Sequence, residues 1–187
     1  FKQKHDVNLN AQDADWTASY GGEKPVEWLT KQTIDTLRFR HAAYLIAVSY
    51  GLVDDDSYTG IVKRMETLNA NNRQKREAGQ VIYGRSEYDI ASYIDYEMTA
   101  LKNDYVDDAT KPGMNPSETE VQEYYDAHDW TVDGVEGKAP LADVKANVKT
   151  ALCTERYRER VKSKADKIDV STLPWKRLYA YAATLVG

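Results

Sequence analysis

The stretch from Asn115 to Ile168 leaves the backbone the least choice. Asn115-Pro116-Ser117-Glu118-Thr119-Glu120 is an S-x-x-E capping box behind a proline. In such a box the Ser117 hydroxyl accepts a free helix N–H, and the Glu120 carboxylate reaches back to the residue that starts the helix. Val121, Tyr124, Tyr125 and His128 follow on one helical face. A loop from Asp129 to Lys138 contains Gly134 and Gly137, and Pro140 suits the first turn of another helix. Leu141, Val144, Val148 and Leu152 open its apolar face, and Tyr157, Val161, Ala165 and Ile168 continue it after a small phase shift. A helix from Leu141 to Ile168 is about 42 Å long at ~1.5 Å per residue.

Helical spacing also runs through the chain before this stretch. A first helix starts near Pro25, with Trp28, Ile34, Leu37, His41, Tyr44, Leu45 and Val48 on one face and Gly51 as terminator. Asp54-Asp55-Asp56 is read as the N-cap of a second helix over about Asp56 to Ala70, striped by Tyr58, Ile61, Val62, Met65 and Leu68. Val81-Ile82-Tyr83, closed by Gly84, reads as a tight extended link. Ser86, with Asp89 at the reciprocal position, is expected to cap a third helix lined by Ile90, Ile94, Met98, Leu101 and Tyr105. Asp107 to Asn115 is a linker, and Leu173-Pro174-Trp175 precedes a short closing helix. Period-two alternation is essentially absent, so the expected class is all-α. Residues 1–24 have no sustained period and are expected to form a flexible arm, anchored by Trp16 and Tyr20, ahead of a single helical domain over 25–187.

Composition narrows the chemistry. The net charge of −5 disfavours nucleic acid as a partner. No apolar run approaches the ~18 residues of a membrane helix. His5, His41 and His128 are scattered without metal-ligand spacing, and His41 is expected to be a satisfied core histidine. The single Cys153 lacks a neighbouring base and is expected to be structural. There is no GxSxG, P-loop or GxGxxG, and Asp54-Asp55-Asp56 lacks the spacing of a calcium loop. The reading assigns no catalytic, cofactor-binding or metal-binding residue, and it leaves the peptide-contacting residues unnamed. On the long helix Arg156 with Arg160, and Glu155 with Glu159, set like charges four apart. Such pairs call for partners on another helix. Fourteen tyrosines against two phenylalanines favour half-buried surfaces with wet polar tips, or adaptable contact surfaces.

Two segments carry a family resemblance. Thr33 to Tyr96 contains a helix ending Tyr50-Gly51-Leu52-Val53-Asp54, a helix with Met65 and Asn69, and Tyr83-Gly84 leading to a helix with Tyr93. This resembles the N-terminal helical chaperone region of SurA- and PrsA-like secretory foldases. Pro116-Ser117-Glu118-Thr119-Glu120-Val121-Gln122-Glu123-Tyr124-Tyr125-Asp126 is similar to that family's P-[ST]-x-x-E-[VI]-x-x-Y-[YF] helix. Pro140 to Leu152 is similar to its long C-terminal return helix. Together the segments span about two thirds of the chain. In the family a parvulin-type prolyl isomerase domain is often inserted between those helices. Here only Asp129 to Ala139 separates them, far short of the roughly 50 residues a domain needs.

The resemblance therefore implies an extracytoplasmic chaperone, secreted or anchored to the cell envelope, that binds unfolded or extended polypeptide clients without catalysis and without a cofactor. The opening at Phe1 rather than Met is compatible with a removed signal segment or with membrane anchoring upstream. A scaffolding module for one specific folded partner is the alternative, and a prolyl isomerase-related enzyme is a second.

Overall fold

A computed structural model describes residues 1–11, 14–134 and 136–186. Gln12 and Asp13 of the expected arm, Val135 of the Gly134–Gly137 loop, and Gly187 lie outside the described residues. The described residues form helices α1 (Lys2–His5), α2 (Pro25–Ser49), α3 (Tyr58–Glu77), α4 (Ile90–Val106), α5 (Glu118–Ala127), α6 (Leu141–Ala165) and α7 (Trp175–Val186). Among them there is no strand, and an isolated bridge joins Tyr20 and Glu23. The class is all-α. The chain groups into two compact units, 1–40 with 164–187, and 41–163.

In the first unit the residues expected as a loose arm make specific contacts. The Phe1 ring lies 4.3 Å from His5, 6.0 Å from Tyr20 and 5.8 Å from Trp28, centroid to centroid. Lys4 Nζ and His5 Nε2 both lie 2.9 Å from the Glu23 carboxylate. Val26 donates its N–H to Trp16 O at 3.0 Å. Arg38 donates to the carbonyl of Ala165, the last residue of α6, at 2.9 Å. That places a cation where helix carbonyls lack partners. In α7 the Trp175 indole donates to Val170 O, and its ring lies 5.8 Å from Tyr179.

In the second unit, α2 stops where expected. Gly51 takes φ +70, and Leu52 N–H returns to Ala47 O at 2.9 Å. A first cluster joins Tyr44, Ala47, Ile61, Tyr93 and Leu101, with Met65, Leu68, Ile94 and Met98 packed against it. A second joins Val121, Ala139, Val144 and Val148, with Tyr124, Tyr125, Trp130 and Leu141. The capping box is complete: Ser117 Oγ accepts from Glu120 N–H, and Glu120 accepts from Ser117 N–H at 2.7 Å. The same Glu120 meets Arg156 of α6 at 2.5 Å, and Arg156 and Arg160 also donate to the carbonyls of Gly113 and Pro112. The crowded α6 cations thus find partners away from their own helix.

Several local expectations need correction. The N-cap of α3 is Ser57, whose side chain accepts from Gly60 N–H. Asp55 serves the cap indirectly, accepting Ser57 N–H at 2.8 Å. Helix α3 runs on to Glu77 because Asn71 to Glu77 are mostly good helix formers, although their polarity hides them from an apolar-period reading. Helix α4 is capped by Asp89, which accepts from Ser92 N–H, and not by Ser86. Helix α6 ends at Ala165, so its 25 residues span about 37 Å. His41 is not in a core: its side chain is half exposed and Nδ1 stands 3.9 Å from Asp56. Leu37, Val48 and Tyr58, expected on buried stripes, are exposed.

Gly60 gives this arrangement a test. A Cβ there would stand 2.5 Å from Asp55 Oδ2 and 2.9 Å from Asp55 Cβ. Gly60→Ala should gain helix propensity, about 1 kcal/mol, yet displace Asp55 and lose its bond to Ser57 N–H. Urea unfolding should therefore find G60A less stabilising alone than in a D55A background, where it should gain about 1 kcal/mol. Equal effects in the two backgrounds would show that Asp55 does not hold this position.

Candidate functional site

Helices α3 and α4 form a hairpin whose base is tied to α2 by one carboxylate. Glu97 falls at a core position of α4 and is 6 % exposed. Its Oε1 accepts from Arg64 Nε at 2.6 Å and Tyr93 Oη at 2.8 Å. Its Oε2 accepts from Tyr44 Oη at 2.7 Å and Arg64 Nη2 at 3.0 Å. Each oxygen thus receives two donors, which uses the whole acceptor capacity of a carboxylate. Burial pushes the Glu97 carboxyl up, but the hydrogen bonds from Arg64, Tyr44 and Tyr93 outweigh it and hold the group below the usual glutamate range. Burial, and then the bond to Glu97, push both Tyr44 and Tyr93 phenols far up. The third Arg64 nitrogen, Nη1, donates to Asp55 O at 2.7 Å. Glu97 is therefore saturated and ionised, a tie between helices with no lone pair left for proton transfer.

A cleft of about 420 Å³ opens beside this tie. It is lined by Asp54, Asp55, Gly60, Lys63, Arg64, Thr67, Leu68 and Asn71. Its wall mixes both charge signs with the apolar surface of Leu68 and the side-chain stems, and Arg64 is already committed to Glu97 and Asp55.

Farther along the hairpin, apolar packing gives way to amide clamps. Asn69 is 7 % exposed; its Nδ2 donates to Tyr88 O at 2.8 Å, and its Oδ1 accepts Tyr88 N–H at 2.9 Å. Asn72 is 6 % exposed and donates to Arg85 O at 3.3 Å. Tyr88 also packs on Tyr93 and Tyr96, with ring centroids 6.1 and 5.0 Å away. Beyond the clamps lie Val81 and Tyr83, 72 % and 93 % exposed.

The other chemistry-bearing residues are dispersed. Cys153 is buried, with Sγ 3.7 Å from Met114 O, and burial pushes its thiol up. It behaves as the structural cysteine the sequence implied. His5 pairs with Glu23, His41 faces Asp56, and His128 bonds Tyr124 O. Asp108, beyond the end of α4, accepts from Thr110 and Lys111, which pull its carboxyl down to about 2. Among the described residues no three His, Cys, Asp or Glu side chains cluster as metal ligands, and no helix is long and apolar enough to cross a membrane.

Sequence reasoning identified none of Arg64, Asn69, Asn72 and Glu97 as a buried tie, and Asn69 entered it only through the family resemblance. A signal existed for three of them. Glu97 continues the Ile90, Tyr93, Ile94 stripe, and Asn69 and Asn72 continue that of Ile61 and Met65. A polar residue on an apolar stripe requires buried partners.

Glu97→Gln should cost about 3 kcal/mol in urea unfolding, because it leaves a partly buried guanidinium without its counter-charge. Tyr44→Phe removes one of four donors and should cost about 1.5 kcal/mol. Because the folded Glu97 carboxyl lies below its unfolded value of roughly 4.3, its contribution is complete above that pH and fades as pH falls through the lower folded value. The wild-type protein should therefore lose more stability than E97Q on acidification from about pH 6 to about pH 3. Parallel curves would rule out an ionised Glu97.

A protein of Bifidobacterium longum subsp. longum named chaperone for lacto-N-biosidase is 49% identical to this chain over 187 residues. The match takes in the whole of this chain and 66% of that protein, so the chain spans just under two thirds of its relative's length. No family model matches the sequence, and no solved structure matches it.

Proposed function

We propose that this chain is a non-catalytic chaperone that binds a protein client outside the cytoplasm. The observation that carries this reading is the 49% identity, along the chain's whole length, to a protein named chaperone for lacto-N-biosidase. The geometry is compatible with it: the buried Glu97 network is consumed in joining helices, and Val81 and Tyr83 remain exposed for contact. The resemblance of α2–α4 and of α5–α6 to the SurA/PrsA helical frame supports the extracytoplasmic placement and a client recognised while unfolded or extended. In the SurA/PrsA family an isomerase domain is often inserted at the place that the short α5–α6 connection takes in that resemblance.

The relative's name specifies a single enzyme, and this favours a second reading in which the chain serves one dedicated client. The two readings separate in one experiment. Denatured lacto-N-biosidase and an unrelated secretory protein are each diluted from denaturant with and without the chain. A general chaperone should suppress light scattering by both at equimolar ratio. A dedicated one should raise the recovered activity of the lacto-N-biosidase alone. No effect on either protein at molar excess would sink the chaperone reading. A prolyl isomerase assay should show no acceleration over the spontaneous rate, and measurable turnover would return the chain to the enzymes.

A further inference from the structure

The tip of the α3–α4 hairpin, residues 71–87, combines exposed apolar groups with a backbone clamped beside them. Gly79 and Gly84, both at positive φ, bracket a segment that belongs to no helix or strand. Val81 and Tyr83 are exposed in it, while Ile82 between them is half-buried. The segment gains little for the fold, since neither Val81 nor Tyr83 belongs to a core cluster. Yet two buried asparagines, Asn69 and Asn72, are committed to holding the backbone beside it, at Tyr88 and Arg85. An apolar pair kept exposed on a clamped backbone has already met the ordering cost of a contact, which is what preorganisation for binding requires.

Charge selects the kind of partner. On a chain of net charge −5, residues 73–87 carry four cations, Arg73, Lys75, Arg76 and Arg85, against Glu77 and Glu87. Arg73 is matched by Glu87 at 3.5 Å. Lys75, Arg76 and Arg85 are exposed and form no ion pair among the described residues. Positive charge around an apolar knob complements an acidic surface and speeds encounter with it.

We propose that this tip is the client-docking element: Tyr83 and Val81 enter an apolar recess on an acidic face of the client protein, and Lys75, Arg76 and Arg85 pair with carboxylates around it. This rests on the chaperone reading and adds to it the contact residues and the chemistry of the surface they meet. The probe is immobilised lacto-N-biosidase from Bifidobacterium longum subsp. longum, presented both native and while refolding. Wild-type chain is compared with V81S/Y83S, K75E/R76E and Y58S, the last altering another exposed tyrosine at the opposite end of α3. All the altered side chains are exposed, and thermal melts check that each variant is folded at the assay temperature.

Both tip variants should bind at least about tenfold more weakly, the loss expected of interface hot-spot residues, while Y58S binds as wild type. Raising salt from about 50 to about 500 mM should weaken the wild-type complex and leave what remains of K75E/R76E binding little changed. Should any variant melt early, the other tip variant carries the comparison. Wild-type binding undiminished in both tip variants, or lost equally in Y58S, would overturn the docking proposal while leaving the chaperone reading intact. Absence of wild-type binding to native and refolding enzyme alike would overturn both.

Discussion

One carboxylate sets the geometry of the 41–163 unit. A buried charge is tolerable only where donors converge on it, and Glu97 draws Tyr44 from α2, Arg64 from α3 and Tyr93 from its own helix. Apolar packing alone is permissive, since Met65, Ile94 and Met98 would fill space in more than one helix register. The donors to Glu97 are not permissive: sliding α3 by one turn would carry Arg64 about 5.4 Å from its partner. We regard this tie as the element that selects one arrangement of three helices from those the apolar stripes allow. The asparagine clamps then extend the same principle outward, fixing hairpin backbone where apolar contact has run out.

Much of this organisation is legible in the residues, and the boundary of legibility is physical. The Ser117–Glu120 box is readable because its partners lie three residues apart and need only local geometry. The stop at Gly51 is readable because a left-handed residue there admits glycine most easily. Misplaced features depend on contacts distant in sequence or on competition among neighbours. Ser57 wins the α3 cap over three adjacent aspartates, and Asp89 wins the α4 cap over Ser86. The last two turns of α3 carry no apolar period, and polar contacts distant in sequence, from Asn69, Asn72 and Arg73, mark their place. His41 follows the spacing of the α2 face yet lies outside the core, because periodicity gives direction on a helix and not what stands opposite.

The tyrosine excess acquires a physical account. Tyr44 and Tyr93 bury their rings in the first cluster and spend their hydroxyls on Glu97, and Tyr125 donates to Ala139 O at 2.7 Å. Phenylalanine would fill the same volume and leave those acceptors short. Tyr50, Tyr105 and Tyr157 form a chain of ring contacts near 5 Å. Only a minority, led by Tyr83, stands in solvent. The residue type thus divides between buried rings and exposed ones, and several of the buried hydroxyls serve as donors to acceptors on other parts of the chain.

Glu120 carries two obligations at once, closing the start of α5 and receiving Arg156 from α6. Its side chain has the reach for both, and the shorter aspartate would have to abandon one. Ser117 and Arg156 are in consequence coupled through Glu120, and losing that one carboxylate would open the start of α5 and release the α6 guanidinium together.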